Sequence, residues 1–284
     1  MGVVMGDVGF VTTAASPDAN TVRQWRVDYL EDDRPYAASN TVKGTNRAAG
    51  ILDWTGQYFA YGATPAVFPG DAMTFVGTGA GNTTGCSGTA ICERMQVLWE
   101  QEKNDYVQHI VHYGGNGDLT LTGNTGADSS YPNPVASSTL VIKYGTSTGE
   151  ETTITDIRRA FWDVSRRHGP PPGQIGNRPY SSSSAPGKMR RVKSRLDFTF
   201  FIDCYLDTHA SPIPTIQTAY RWHFYVSDST YWDLAWARVI ALEDLGSNIE
   251  ESELLHVRIH GAMHGVTASA TGYIKNPSTT TKWP

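Results

Sequence analysis

Charge is scarce in this chain: Asp, Glu, Lys and Arg together make up 18% of its 284 residues, and the formal balance is −5. A mildly acidic molecule is not built to coat itself on DNA or anionic lipid by bulk attraction, although a local basic patch remains open to it. Cysteine is scarcer still. Cys86, Cys92 and Cys204 are odd in number and match no zinc knuckle, redox CxxC or disulfide framework, which predicts reduced, buried thiols. No apolar run approaches the length needed to cross a membrane. The opening MGVVMGDVGFVTT has no basic segment followed by an apolar core and no Ser or Thr at its sixth position. We therefore expect neither a secretory leader nor myristoylation, and synthesis in the cytosol.

What the chain does have is Gly, Ser, Thr and an aromatic share of 11%, the composition of a β-rich protein with large loops. It also repeats itself. A shift of about 144 residues lays Leu52-Asp53-Trp54-Thr55 on Leu196-Asp197-Phe198-Thr199 and Tyr61 on Tyr205. Upstream, Pro35-Tyr36-Ala37-Ala38-Ser39 falls on Pro179-Tyr180-Ser181-Ser182-Ser183. Downstream, the segment from Val107 answers the one from Leu254, with His109 on His256 and Gly114 on Gly261, and Asn133-Pro134 answers Asn276-Pro277. The join is expected near Ser138, giving two homologous domains, 1–138 and 139–284.

Inside each copy the pattern alternates. The runs flanking Lys103-Asn104-Asp105 predict a hairpin, and its counterpart runs from Ala235 to Leu242, turns through an acidic loop and returns from Leu254 to Gly261. Strands are expected from Ala72 and from Arg221. Over Val22–Tyr29 and Ile157–Val164 the periodicity leaves strand and short helix both open.

The search for catalytic material ends mostly in structural readings. His256, His260 and His264 would line one face of a helix as metal ligands. On a strand His256, Arg258 and His260 share a face with a cation between two histidines, so solvent-facing or interface roles are favoured. His109 and His112 are three apart and face opposite sides of a strand, and His223 belongs to an aromatic strand. The glycine-rich stretch from Gly77 to Ala90 lacks the Lys-Ser/Thr of a phosphate loop and reads as a flexible loop. Glu100, Glu102, Glu250, Glu251 and Glu253 could be cast as glycosidase acids, but they sit at hairpin ends where charge keeps a turn wet. The aromatics, Trp54 and Phe198 first among them, read as core. We expect no catalytic residue, no metal site and no cofactor.

The Leu-Asp-aromatic-Thr strand, followed by a tyrosine and a Pro-rich turn, resembles the major tail tube proteins of long-tailed bacteriophages. In that family an Asp-Trp-Ser/Thr-Gly signature opens a strand. Asp53-Trp54-Thr55-Gly56 carries it fully; Asp197-Phe198-Thr199-Phe200 carries it in part, with Phe200 where glycine is expected. The resemblance implies a mainly β protein of two tandem tail-tube-like β-sandwich domains, each with a short flanking helix. It further implies a virion location, a homotrimer of pseudo-sixfold symmetry stacked into a tube, contacts with other phage tail proteins, and a lumen that conducts double-stranded DNA without binding it specifically. It implies no membrane partner.

Two homologous domains on one chain can repeat one interface within and between chains, so that three chains close a six-domain ring. Alternate ring positions can then differ. The first copy has an acidic segment, Glu31, Asp32 and Asp33, where the second has Arg166, Arg167 and His168, and these are the candidate contacts between stacked rings. Lumen-facing candidates are the hairpins Arg94–Gly114 and Ala235–Gly261. A capsid cement protein, also β-rich and often trimeric, and a carbohydrate-binding tail module are the competing expectations.

Overall fold

The computed structural model describes residues 11–13, 16–17, 21–31, 34–36, 46–48, 52–62, 67–78, 85–100, 106–121, 141–169, 192–206, 213–225, 231–246 and 255–264. Their regular structure is all strand. The first half contributes β1 (Val11–Thr13), β2 (Ser16–Pro17), β3 (Thr21–Glu31), β4 (Arg34–Tyr36), β5 (Asn46–Ala48), β6 (Leu52–Tyr61), β7 (Ala72–Thr78), β8 (Gly85–Glu100) and β9 (Gln108–Leu121). The second contributes β10 (Val141–Gly145), β11 (Thr152–Ile154), β12 (Ile157–Gly169), β13 (Val192–Leu206), β14 (Ala219–Tyr225), β15 (Tyr231–Gly246) and β16 (Leu255–Met263). Apart from the small β4–β5 pair, these strands form one large antiparallel sheet.

No helix lies among the described residues, so the expected flanking helices have no place in them. The two segments left open by periodicity are the strands β3 and β12. Trp25, Ala160, Trp162 and Val164 are buried while alternate neighbours face outward, the period of two that a half-buried strand needs. The glycine-rich stretch read as a loop is strand from Gly85 onward. The expected join at Ser138 lies outside the described residues, as do Asp32, Asp33, Glu102, Glu250, Glu251, Glu253 and the Asn-Pro closures.

The strand order has a simple rule. In the first half it runs β3-β6-β9-β8-β7-β1-β2, and in the second β12-β13-β16-β15-β14-β10-β11. Two irregularities also fall in matching places. The β3–β6 ladder slips between Val22 and Gln24, just as β12–β13 slips between Ile157 and Arg159. The β8–β9 ladder slips between Cys92 and Arg94, and β15–β16 between Val239 and Ala241. A bulge bends its strand, and here it divides β8 into two working lengths. Gly85–Ile91 pairs with β7, whereas Arg94–Glu100 pairs with β12.

The buried residues of both halves form one continuous cluster, joined where Phe68 meets Trp232 at 5.6 Å. Phe75 on β7 meets Trp25 on β3, Trp54 on β6 and Tyr113 on β9, with centroids 5.9, 6.4 and 4.6 Å apart. Trp222 and Phe224 on β14 meet Phe200 on β13 at 4.8 and 5.5 Å. Trp54 and Phe198, the matched rings of the repeated motif, are each 1% exposed. Trp54 also donates from Nε1 to Gly117 O at 3.1 Å, so its one polar atom is satisfied. Gly115 gives it room: a Cβ there would lie 2.2 Å from that nitrogen.

Register corrects one expected correspondence. His109 stands opposite Ala60, and the residue opposite Cys204, at the matching place on β13, is Val257 rather than His256. His256 instead faces Tyr205, as Gln108 faces Tyr61. Gly261 likewise matches Tyr113 and not Gly114, because Gly261 lies across from Phe200 and Tyr113 from Gly56. Burial accounts for it: His109 and Val257 point into the core, His256 outward.

Candidate assembly wall and joint

Eight strands, β3-β6-β9-β8-β12-β13-β16-β15, run side by side as a single wall. Its inward side holds the core. Its outward side mixes polar residues, among them Gln57, Arg94, Gln96, His112, Asp163 and Thr199, with half-buried apolar ones such as Phe59, Leu98, Ile110, Phe161 and Phe201. The wall is continuous because β12 joins β8 antiparallel, from Arg159 opposite Glu100 to Ser165 opposite Arg94. This edge-to-edge joint welds the two halves, and Trp99 and Trp162, neighbours across it, sit 5.9 Å apart with both rings buried.

The outward side of the joint is tied by charge. Arg94 grips Asp163 with Nε 2.9 Å from both carboxylate oxygens, and Nη2 closes a further bond to Oδ2. The fork geometry of guanidinium on carboxylate fixes register as well as adding attraction. Asp163 holds the Arg94 guanidinium pKa above its usual value. His112 Nε2–H donates to Gln96 Oε1 at 3.1 Å, and burial with the nearby Arg94 cation pushes its pKa down, which keeps the ring neutral at pH 7.

A second knot lies on β12, β13 and β16. Asp203, 4% exposed, takes Arg159 Nε at 3.2 Å and Arg258 Nη2 at 3.0 Å, while Arg159 Nη1 stands 3.9 Å from Glu100 across the joint. Both guanidinium groups lie over the Phe201 ring, at 4.9 and 5.3 Å, and Phe201 stacks on Phe161. Arg26 is bound to Asp28 at 2.8 Å, and His260 lies 3.3 Å from Glu243. The arginines Arg26, Arg94, Arg159 and Arg258 thus each carry a carboxylate partner.

The sequence-derived candidates fall as follows. Leu52, Asp53, Trp54, Thr55 and Tyr61 lie on β6, and Leu196, Asp197, Phe198, Thr199 and Tyr205 at the matching places on β13. Glu31 ends β3; Arg166, Arg167 and His168 are inside β12 rather than on a projecting loop. Arg166 is half-buried and lies along the turn at Gly70, where a Cβ would come within 2.9 Å of its Cδ. His256, Arg258 and His260 do share the outward side of one strand, and His109 and His112 do face opposite ways. His223 is buried, stacked on Tyr231 at 4.3 Å with Nδ1 3.3 Å from Glu150. The three cysteines are free and buried, and burial pushes the Cys204 thiol up to about 12. No cluster of three or more metal-ligating side chains occurs among the described residues.

Sequence reasoning missed the joint residues. Arg94 and Asp163 are far apart in the chain, and only the alternation of charge with apolar residues on β8 and β12 hinted at a polar side. No protein-family model and no curated protein matches the chain in sequence.

Proposed function

We propose that the protein is a structural subunit of a phage tail tube, built as two tail-tube-like domains by duplication, and that three chains close a pseudo-sixfold ring that stacks into a conduit for double-stranded DNA. The observation that carries this reading is the β8–β12 joint: two strand sets of the same order, with two of their bulges in matching places, meet edge to edge inside one chain. An interface that works between like units within a chain needs only to recur between chains to close a ring. The outward wall suits a lumen, because Arg26, Arg94, Arg159 and Arg258 on it are each matched by a carboxylate, which weakens their hold on a passing polyanion. The protein's role is assembly, and it needs no catalyst or cofactor for it.

Negative-stain microscopy of purified protein tests the reading. Stacked rings or tubes with a central hole are expected. Trimers that never stack but bind a capsid lattice would replace it with a decoration protein, and glycan binding that depends on surface tryptophans would replace it with a tail-associated module.

A further inference from the structure

The wall ends in two edges, and residue by residue they are the two sides of the joint already inside the chain. β3 is the counterpart of β12, and among the described residues its outer edge pairs with no strand. The length of β15 from Ala241 to Gly246 is the counterpart of the part of β8 that receives β12; β14 pairs with β15 over Tyr231–Arg238, and the bonds of Val239 to Gln217 N and Thr218 O end that coverage, so the length beyond Val239 pairs with no further strand on its outer edge among the described residues. Register supplies the map. Asp28 lies opposite Thr55 as Asp163 lies opposite Thr199, and Ala241 lies opposite His260 as Arg94 lies opposite His112.

Exposure marks the same residues. At the internal joint Met95, Trp162 and Val164 are 0% exposed. Their counterparts at the two edges, Leu242, Val27 and Tyr29, are only half-buried, though all three pack on the core. Beyond them Leu30 on β3 is 58% exposed and Ile240 on β15 is 54% exposed. Open strand edges flanked by apolar side chains are templates for pairing with another chain.

We infer that the occupant of each edge is a second copy of this chain: β3 of one copy pairs antiparallel with β15 of the next, with Asp28 across from Glu243, Tyr29 across from Leu242 and Leu30 across from Ala241 beside Ile240. The inference rests on the tube reading for ring closure but not for the pairing itself. The joint between chains differs from the internal one in charge. Ala241 stands where Arg94 would grip the aspartate, and Glu243 faces Asp28 in place of Gln96, so like charges meet, and the groups that could offset them, Arg26 on Asp28, His260 beside Glu243 and Arg258 opposite it, are already engaged within the chain. The joint between chains is therefore the weaker of the two and closes last.

Disulfide trapping tests this on the full-length chain. Asp28 and Glu243 lie on opposite ends of an eight-strand wall, roughly 33 Å apart at the usual strand spacing, so they cannot bridge within one chain. Asp28→Cys with Glu243→Cys in one chain should, on mild oxidation, give covalent dimers and trimers and stop there. Mixing the two single variants should give dimers only, since the native cysteines are buried. The two-residue slip, Asp28→Cys with Ala241→Cys, should cross-link on the order of tenfold less. Ala241→Arg should lower the protein concentration for half-assembly by about fivefold, by copying the Arg94–Asp163 pair. Rings in the microscope without cross-links would overturn the joint and leave the tube reading standing. Trapped trimers that never stack would uphold the joint and remove the tube. A covalent ladder running past three chains would overturn ring closure.

Discussion

Gly56 stands across from Tyr113 in the first half of the molecule, and Phe200 stands across from Gly261 in the second. The ring occupies the same slot in the core but arrives from opposite strands. A Cβ on Gly56 would lie 2.5 Å from the Tyr113 hydroxyl oxygen, and a Cβ on Gly261 would lie 2.2 Å from Phe200 Cζ, so neither glycine tolerates enlargement while its partner is large. The comparison teaches that volume at a cross-strand pair is the constrained quantity and the residue at each position is not. It also explains why Phe200 can stand where the first half has Gly56.

The halves also differ between the β7–β8 and β14–β15 pairs, and breaking that difference should have the largest effect. β7 and β8 place Thr74 opposite Thr89, whereas β14 and β15 place His223 opposite Asp233. Asp233 is 1% exposed and takes Arg221 Nε at 2.9 Å. Burial alone would raise its carboxyl pKa; the Arg221 and His223 contacts outweigh it and hold the pKa below the usual value. Asp233→Ala strands the guanidinium and should cost about 4 kcal/mol in urea unfolding, with little change for Thr89→Ala. A loss under 1 kcal/mol would show that the pair is not part of the second half's stability.

The exchanged glycines come next. Gly261→Tyr alone should destabilise by about 3 kcal/mol through overpacking, and adding Phe200→Gly, which recreates the first half's arrangement, should recover most of it. Additive losses in that double-mutant cycle would contradict the shared slot. At the internal joint, Arg94→Ala should cost about 1 kcal/mol, less in high salt, because the arginine is half exposed.

The smallest effect is in the turn after β10. Ser147 Oγ and the Thr148 amide bond to Glu151 and hold its carboxyl pKa well below the usual carboxylate range. A depressed folded pKa contributes stability that is complete above the unfolded value, about 4.3, and is lost as pH falls through the folded one. Glu151→Gln should therefore lower Tm at pH 7, and the gap to the unaltered protein should narrow on acidification.

The strands were legible where a short pattern suffices. Leu-Asp-aromatic-Thr, the alternation around Met95 and Val111, and the opposed faces of His109 and His112 all come from a period of two. What was not legible depends on partners distant in the chain. The bulges at Glu93 and Ile240 carry no local signal, and matching histidine to histidine put His109 on His256 when the ladder sets it on Val257. Arg94 and Asp163 meet only because β12 joins β8. The charge run at Arg166 suggests a loop because such runs usually mark turns, yet the chain there continues as strand and the Arg166 side chain lies on Gly70.

Native mass spectrometry of the smallest assembled particle tests the central claim most directly, because an edge-to-edge joint repeated between chains fixes the count. The account predicts three chains per ring. A particle of six chains, or a chain that stays monomeric at concentrations where tubes should grow, would contradict it.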